Sequence, residues 1–188
     1  MHFKIIAIAG VPGTGKSSVA KELAALTGFA IIRTKDAAKR GALAGKDNIR
    51  KVMIVDPQKL QKAVNKMATH DSIIEGMLSH LLKADLVAVL RCNPAELERR
   101  LKVRKWSARK IRENIQAEIL DAITIEALGK RRKVVEIDTS SKSAAETAGI
   151  IRKIISGAAG KKYAPGSIDW TRKYRGYLIN ADPKRFNI

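Results

Sequence analysis

The stretch Gly10-Val11-Pro12-Gly13-Thr14-Gly15-Lys16-Ser17 constrains this chain more than any other. It matches G-x-x-x-x-G-K-[ST], in which glycines let backbone N–H groups turn inward around phosphate oxygens. The helix that follows adds the partial positive charge of its N-terminus. The pattern carries meaning only between a buried strand and a helix. Residues 3–9 (FKIIAIA) are an apolar run of strand length, and Val19, Ala20, Leu23 and Ala24 recur at helical spacing. A strand–loop–helix unit is therefore expected. Gly13, Thr14 and Gly15 would line a triphosphate, Lys16 would reach its β- and γ-phosphates, and Ser18 would add a phosphate contact. The Ser17 hydroxyl would complete the shell of a Mg²⁺ ion.

The remaining pattern alternates strands with helices. Residues 29–33 (FAIIR) read as a second strand, and Thr34 as the cap of a helix over 35–40. Residues 41–55 are poorly periodic and read as a flap. Asp56-Pro57 starts a helix that carries Leu60, Val64 and Met67 on one face. Residues 71–76 (DSIIEG) form a third strand that delivers Glu75 to its C-terminal end, where ligands sit in open parallel sheets. Residues 85–91 (DLVAVLR) are almost wholly apolar and predict a central strand. A helix opens at Asn93-Pro94. Ser107 caps a long helix over 108–128, with Ile111, Ile115, Ile119 and Ile123 at helical spacing. Gly129 ends it, the basic run 130–133 follows, and residues 134–138 give a fifth strand before a last helix over 143–155. The fold class is α/β: a doubly wound parallel sheet with right-handed crossovers.

Composition narrows the setting. With 188 residues the chain makes one domain with a proper core, and one cysteine, Cys92, excludes an internal disulfide. The chain begins MHFK and runs directly into the first strand, and no apolar run has membrane-spanning length. A soluble, cytoplasmic protein without a membrane partner is expected. Thirty-seven Lys and Arg against eighteen Asp and Glu give a formal net charge of +19. Such an excess favours phosphate-rich partners, RNA above all, although a basic surface also serves solubility alone. The tail at 158–188 is basic and keeps Tyr163, Trp170, Tyr174 and Tyr177. Aromatics among cations stack on bases or pin a tail to its domain, and pinning is the commoner use.

Several short stretches narrow the reading further: Glu75-Gly76-Met77-Leu78-Ser79-His80, Val89-Leu90-Arg91-Cys92, Glu98-Arg99-Arg100-Leu101, Arg104-Lys105-Trp106 and Glu113-Asn114-Ile115-Gln116-Ala117-Glu118-Ile119. Together with the loop, this series resembles the archaeal branch of the adenylate kinase isoenzyme six family, over roughly residues 4–155. That family is described as an adenylate kinase and as an ATPase of late small-subunit ribosome maturation. The resemblance implies a nucleoside monophosphate kinase fold over 1–157: a five-stranded parallel core with helices on both faces, a monophosphate-binding flap near 33–56 and a short lid near 103–113. It implies ATP and AMP as substrates, Mg²⁺ as cofactor, and a small-subunit ribosomal protein, rRNA or pre-30S particle as partner. Lys16, Arg104 and Glu75 are the implied catalytic residues. Arg104 is the lid arginine that contacts ATP phosphates, and Ser17 with Glu75 serves the metal through water. Asp36, Lys39 and Arg40 stand where these kinases grip the acceptor monophosphate, with Lys39 in place of an arginine. The family usually has histidine two residues after the acidic residue, where this chain has Met77. His80 could present an imidazole from the next turn or serve the structure alone. A kinase for another small-molecule acceptor remains a rival reading, because the loop alone does not choose the acceptor.

Overall fold

Strand β1 (Ile5–Ala9) is the axis of the molecule, and its last four residues are buried on both faces. The computed structural model describes residues 4–47, 52–68, 71–129, 132–158 and 161–179. Parts of the basic stretches at 45–51 and 130–133, and the end of the tail, lie outside the described residues. The main sheet has five parallel strands in the order β2-β5-β1-β6-β7. These are β2 (Ala30–Arg33), β5 (Ser72–Glu75), β6 (Leu86–Arg91) and β7 (Lys133–Asp138) around β1. The fourth parallel strand along the chain, β6, was expected at the centre. It is an inner strand, and β1 takes the centre. An unbroken apolar run reports burial on both faces, a property that β1, β5 and β6 share.

Alternate residues of each strand serve opposite layers. Ile6, Ile8, Ile73, Ala88 and Leu90 meet Val19, Ala20 and Leu23 of α1 (Lys16–Thr27) and Ala148, Ile151 and Ile154 of α7 (Ala144–Ile155). On the other face, Ile32 and Ile74 meet Ala37 and Ala38 of α2 (Thr34–Lys39) and Leu60 and Val64 of α3 (Pro57–Met67). Each of the Val, Leu and Ile side chains among them, taken fully out of water, contributes about 1.5–3 kcal/mol. Caps fix where the helices start. Asp56 accepts hydrogen bonds from the backbone N–H groups of Gln58 and Lys59, and Ser143 with Glu146 forms a reciprocal capping box.

Three local expectations are corrected. The flap holds an antiparallel hairpin, β3 (Leu43–Asp47) with β4 (Val52–Val55). A register shift between Leu43 and Gly45 breaks the two-residue alternation, which hides the hairpin from a periodicity reading. The expected long helix is two: α5 (Ala108–Ile119) and α6 (Ala122–Leu128). Between them Asp121 takes a left-handed conformation, φ 54°, and turns its carboxylate to buried Arg91. Thr34 is the first residue of α2, with its side chain buried, and it makes no cap hydrogen bond. Past β6, α4 (Pro94–Lys102) and α5 stand together, joined by a tight turn at 103–107. The tail crosses back over this pair with the short helices α8 (Thr171–Tyr174) and α9 (Gly176–Ile179). Among the described residues, no helix is long and apolar enough to cross a membrane.

Candidate functional site

The phosphate loop leaves the C-terminal end of β1 and enters α1 directly, with Gly15 as the residue before the helix. The first turn of α1 has no acidic side chain, so its N–H groups and dipole face an anion without competition. Gly13 shows why the turn demands glycine. Its φ is 97°, and an added Cβ would stand 2.8 Å from Leu97 Cδ1. Thr14 is buried, and its hydroxyl donates to the Val11 carbonyl at 2.9 Å. Ser18 lies exposed on the first turn of α1.

Lys16 folds back over the loop. Its Nζ donates to the Gly10 and Val11 carbonyls, each at 2.9 Å. Burial lowers its pKa to about 8, Glu75 opposes that shift, and the positive charge of Arg104 adds to it. That coupling brings Arg104, which stands exposed in the 103–107 turn, into the electrostatic reach of the loop.

Strand register brings Glu75 beside the loop, since β5 pairs with β1 at Ile8↔Glu75. Glu75 is buried, and its Oε2 accepts the Ser17 hydroxyl proton at 3.1 Å. Two hard oxygen donors thus converge where the loop enters α1. They are the donors that Mg²⁺ takes together with substrate phosphates and water, so the residues present fit the ion. Behind Glu75, Gly76 is held at φ 142°, and the space that a Cβ would need is taken by the Thr34 hydroxyl. The end of β5 thus lies tight against the start of α2.

The residues expected to grip an acceptor monophosphate, Asp36, Lys39 and Arg40, lie on the β2 side. Asp36 is partly exposed and faces Arg33, 4.0 Å from its Nη1, while Lys39 and Arg40 are exposed at the end of α2. His80 is elsewhere. It is buried in the turn Ser79–Leu81, and its Nε2 lies 2.6 Å from Glu126 Oε2 on α6. Its Nε2 is therefore committed to α6, while its buried Nδ1 has no hydrogen-bond partner among the described residues, and Met77 is exposed.

Three features escape a reading of sequence alone. Arg33, paired in register with Glu75, has its Nε 3.5 Å from Glu75 Oε1, so a guanidinium joins the carboxylate from the flap side. Arg100 donates from Nη2 to the carbonyls of Thr139 (2.9 Å) and Ser140 (3.2 Å), and from Nη1 to Gly13 (3.4 Å). It joins α4, the phosphate loop and the loop after β7. Its spacing of four from Arg104, one helical turn, was the available signal. Arg91, fully buried, meets the carboxylates of Glu118, Glu136 and Asp121 beneath the site. A glutamate inside the apolar stretch VVEID, opposite a strand ending in arginine, was the trace of that pairing.

The fold is that of the P-loop nucleoside monophosphate kinases. The solved structures similar in fold include a shikimate kinase from Acinetobacter baumannii in complex with shikimate, at TM-score 0.60 and 15% identity over 82% of this chain and 93% of that one. A deoxyadenosine kinase from M. mycoides follows at TM-score 0.55 and 16% identity, over 81% and 99%. The pattern described as AAA domain matches residues 6–121. An Archaeoglobus fulgidus protein named "Putative adenylate kinase" is 43% identical over 88% of this chain and 91% of its own length. A Methanocaldococcus jannaschii protein of the same name is 39% identical over 92% and 96%. The chain belongs to this family of archaeal P-loop proteins.

Proposed function

We propose that the protein is an adenylate kinase, which transfers the γ-phosphoryl group of ATP to AMP and yields two ADP. The observation that carries the reading is the row Lys16–Ser17–Glu75, built at the C-terminal edge of a parallel sheet with a separate hairpin flap on the β2 side. Phosphoryl transfer asks little covalent chemistry of a protein, so positioning and charge dominate. The loop N–H groups and Lys16 hold the donor phosphates. Arg104 comes over from the 103–107 turn and spreads charge across the transferring group. Asp36, Lys39 and Arg40 face the acceptor side. Ser17 and Glu75 would hold Mg²⁺, whose chemistry is to neutralise the β- and γ-oxygens. Purified protein with Mg·ATP and AMP should form ADP well above an AMP-free control. ADP equal to that control contradicts the reading, and a panel of monophosphates then identifies any other acceptor.

A second reading, ATP hydrolysis as a switch in small-subunit ribosome maturation, draws on the +19 charge. Binding to small-subunit rRNA or its ribosomal protein should then change between ATP and ADP states and weaken steeply with salt. Binding indifferent to nucleotide counts against it.

A further inference from the structure

The kinase reading leaves the tail from Lys161 to Ile179 without a role. We propose that Tyr174 and Tyr177 are positioning residues for Arg100 of α4 and the lid arginine Arg104: the tail clips α4 to α5 and so sets where the two stand. This inference rests on the kinase reading.

The tail spends its polar tips on the two helices that flank the lid turn. On the α4 side, Tyr174 OH donates to Asn93 Oδ1 at 2.6 Å and Tyr177 OH donates to Glu98 Oε2 at 2.7 Å. On the α5 side, Gln116 Nε2 donates to the Tyr177 carbonyl at 3.0 Å, and Trp170 Nε1 donates to Glu118 Oε1 at 3.3 Å. Tyr177 alone therefore bridges both helices. The rings brace one another edge to face, Trp170 to Tyr174 at 6.4 Å and Tyr174 to Tyr177 at 6.2 Å. Half-buried and already bonded, they are not laid out to stack on bases.

Beneath the rings lie Leu97, Leu101, Ile111 and Ile115, and in the same cluster Val11 of the phosphate loop. A polar route runs parallel to this packing. Asn93, which Tyr174 holds, donates its N–H to Ser140 Oγ at 2.7 Å, and Ser140 is one of the carbonyls that Arg100 grips. A shift of α4 relative to α5 therefore moves the lid turn, Arg100 and the wall of the loop together. A displacement of roughly 1 Å at a charge-stabilising group costs on the order of a hundredfold in rate, and an ill-seated lid admits water.

The test uses the full chain. The Tyr174→Phe, Tyr177→Phe double variant keeps both rings and removes both bonds to α4. Its kcat for AMP-dependent transfer should fall about tenfold while the KM for AMP stays within about twofold. The share of ATP lost to hydrolysis should rise. Tyr163→Leu is the control, since Tyr163 packs on the α1–α7 cluster and not on α4 or α5. It should lower the Tm and leave the hydrolysis-to-transfer ratio unchanged. Should the double variant fold poorly, Glu98→Leu removes the Tyr177 acceptor from the helix side and should move the ratio alike. An unchanged kcat and ratio overturns the clip, as does a ratio that follows Tm equally in the control. Wild-type protein that forms no ADP from AMP defeats the kinase reading by itself. The clip is then judged by affinity for a non-hydrolysable ATP analogue, which the double variant should weaken about threefold or more; equal affinity overturns it.

Discussion

At the scale of single residues, Lys16 concentrates the chemistry. Its pKa near 8 stands below the ordinary lysine value because the ammonium is buried. A bound phosphate needs that ammonium charged. Above about pH 8 the free protein therefore binds nucleotide only by taking up a proton, and affinity should fall up to about tenfold per pH unit. Calorimetry in two buffers of different ionisation enthalpy reads this uptake directly, and equal heats at pH 9 would refute it. Lys16→Ala should abolish both transfer and hydrolysis in protein whose circular dichroism is unchanged. Gly76→Ala probes the close approach of β5 to the start of α2. With φ 142° and Thr34 Oγ1 in the way, it should cost at least about 1–3 kcal/mol in denaturant unfolding.

The elements reveal how much the sequence could say. Ser143→Ala removes the capping box of α7 and should cost about 1 kcal/mol. Helix α7 was legible because its pattern is local, although Ser143, expected inside the helix, is its cap. So was the phosphate loop, whose strand, turn and helix are contiguous. Glu75 was legible by its place at a strand end. What escaped depends on contacts distant in sequence. Arg91 meets partners 27 to 45 residues away, and Asp121 breaks a well-patterned helix to reach it. Helical spacing continues through that break, since Ile119 and Ile123 both face inward. Arg100 and Arg33 were given no site role because their significance lies in the backbone and carboxylate they touch. The flap hairpin was lost to its bulge. Replacing Arg91 by Met should destabilise the protein by about 3–5 kcal/mol, because three carboxylates would lose their common cation.

The whole molecule places a charged cluster beneath a phosphate site. Glu118 is pushed up to about 7 by burial, against the pull of Arg91, which it shares with Glu136 and Asp121. A carboxyl raised in the folded state stabilises it fully below its ordinary value of 4.5 and loses that contribution as pH rises to about 7. Unfolding free energy should carry a falling component across that window, and Glu118→Gln should remove it. On the kinase reading, the sheet order sets the donor side and the acceptor side apart, on either side of β1 and β5. The phosphate loop and the loop after β7 stand toward β6 and β7, and Arg33 and α2 stand toward β2. Two adenosines joined by five phosphates should fill both halves at once. The most direct measurement is the dissociation constant of that bisubstrate analogue with Mg²⁺, compared with those of ATP and AMP alone. A single cleft serving both nucleotides predicts binding about a hundredfold or more tighter than ATP, because the second half binds intramolecularly. Affinity no greater than that of ATP would contradict it.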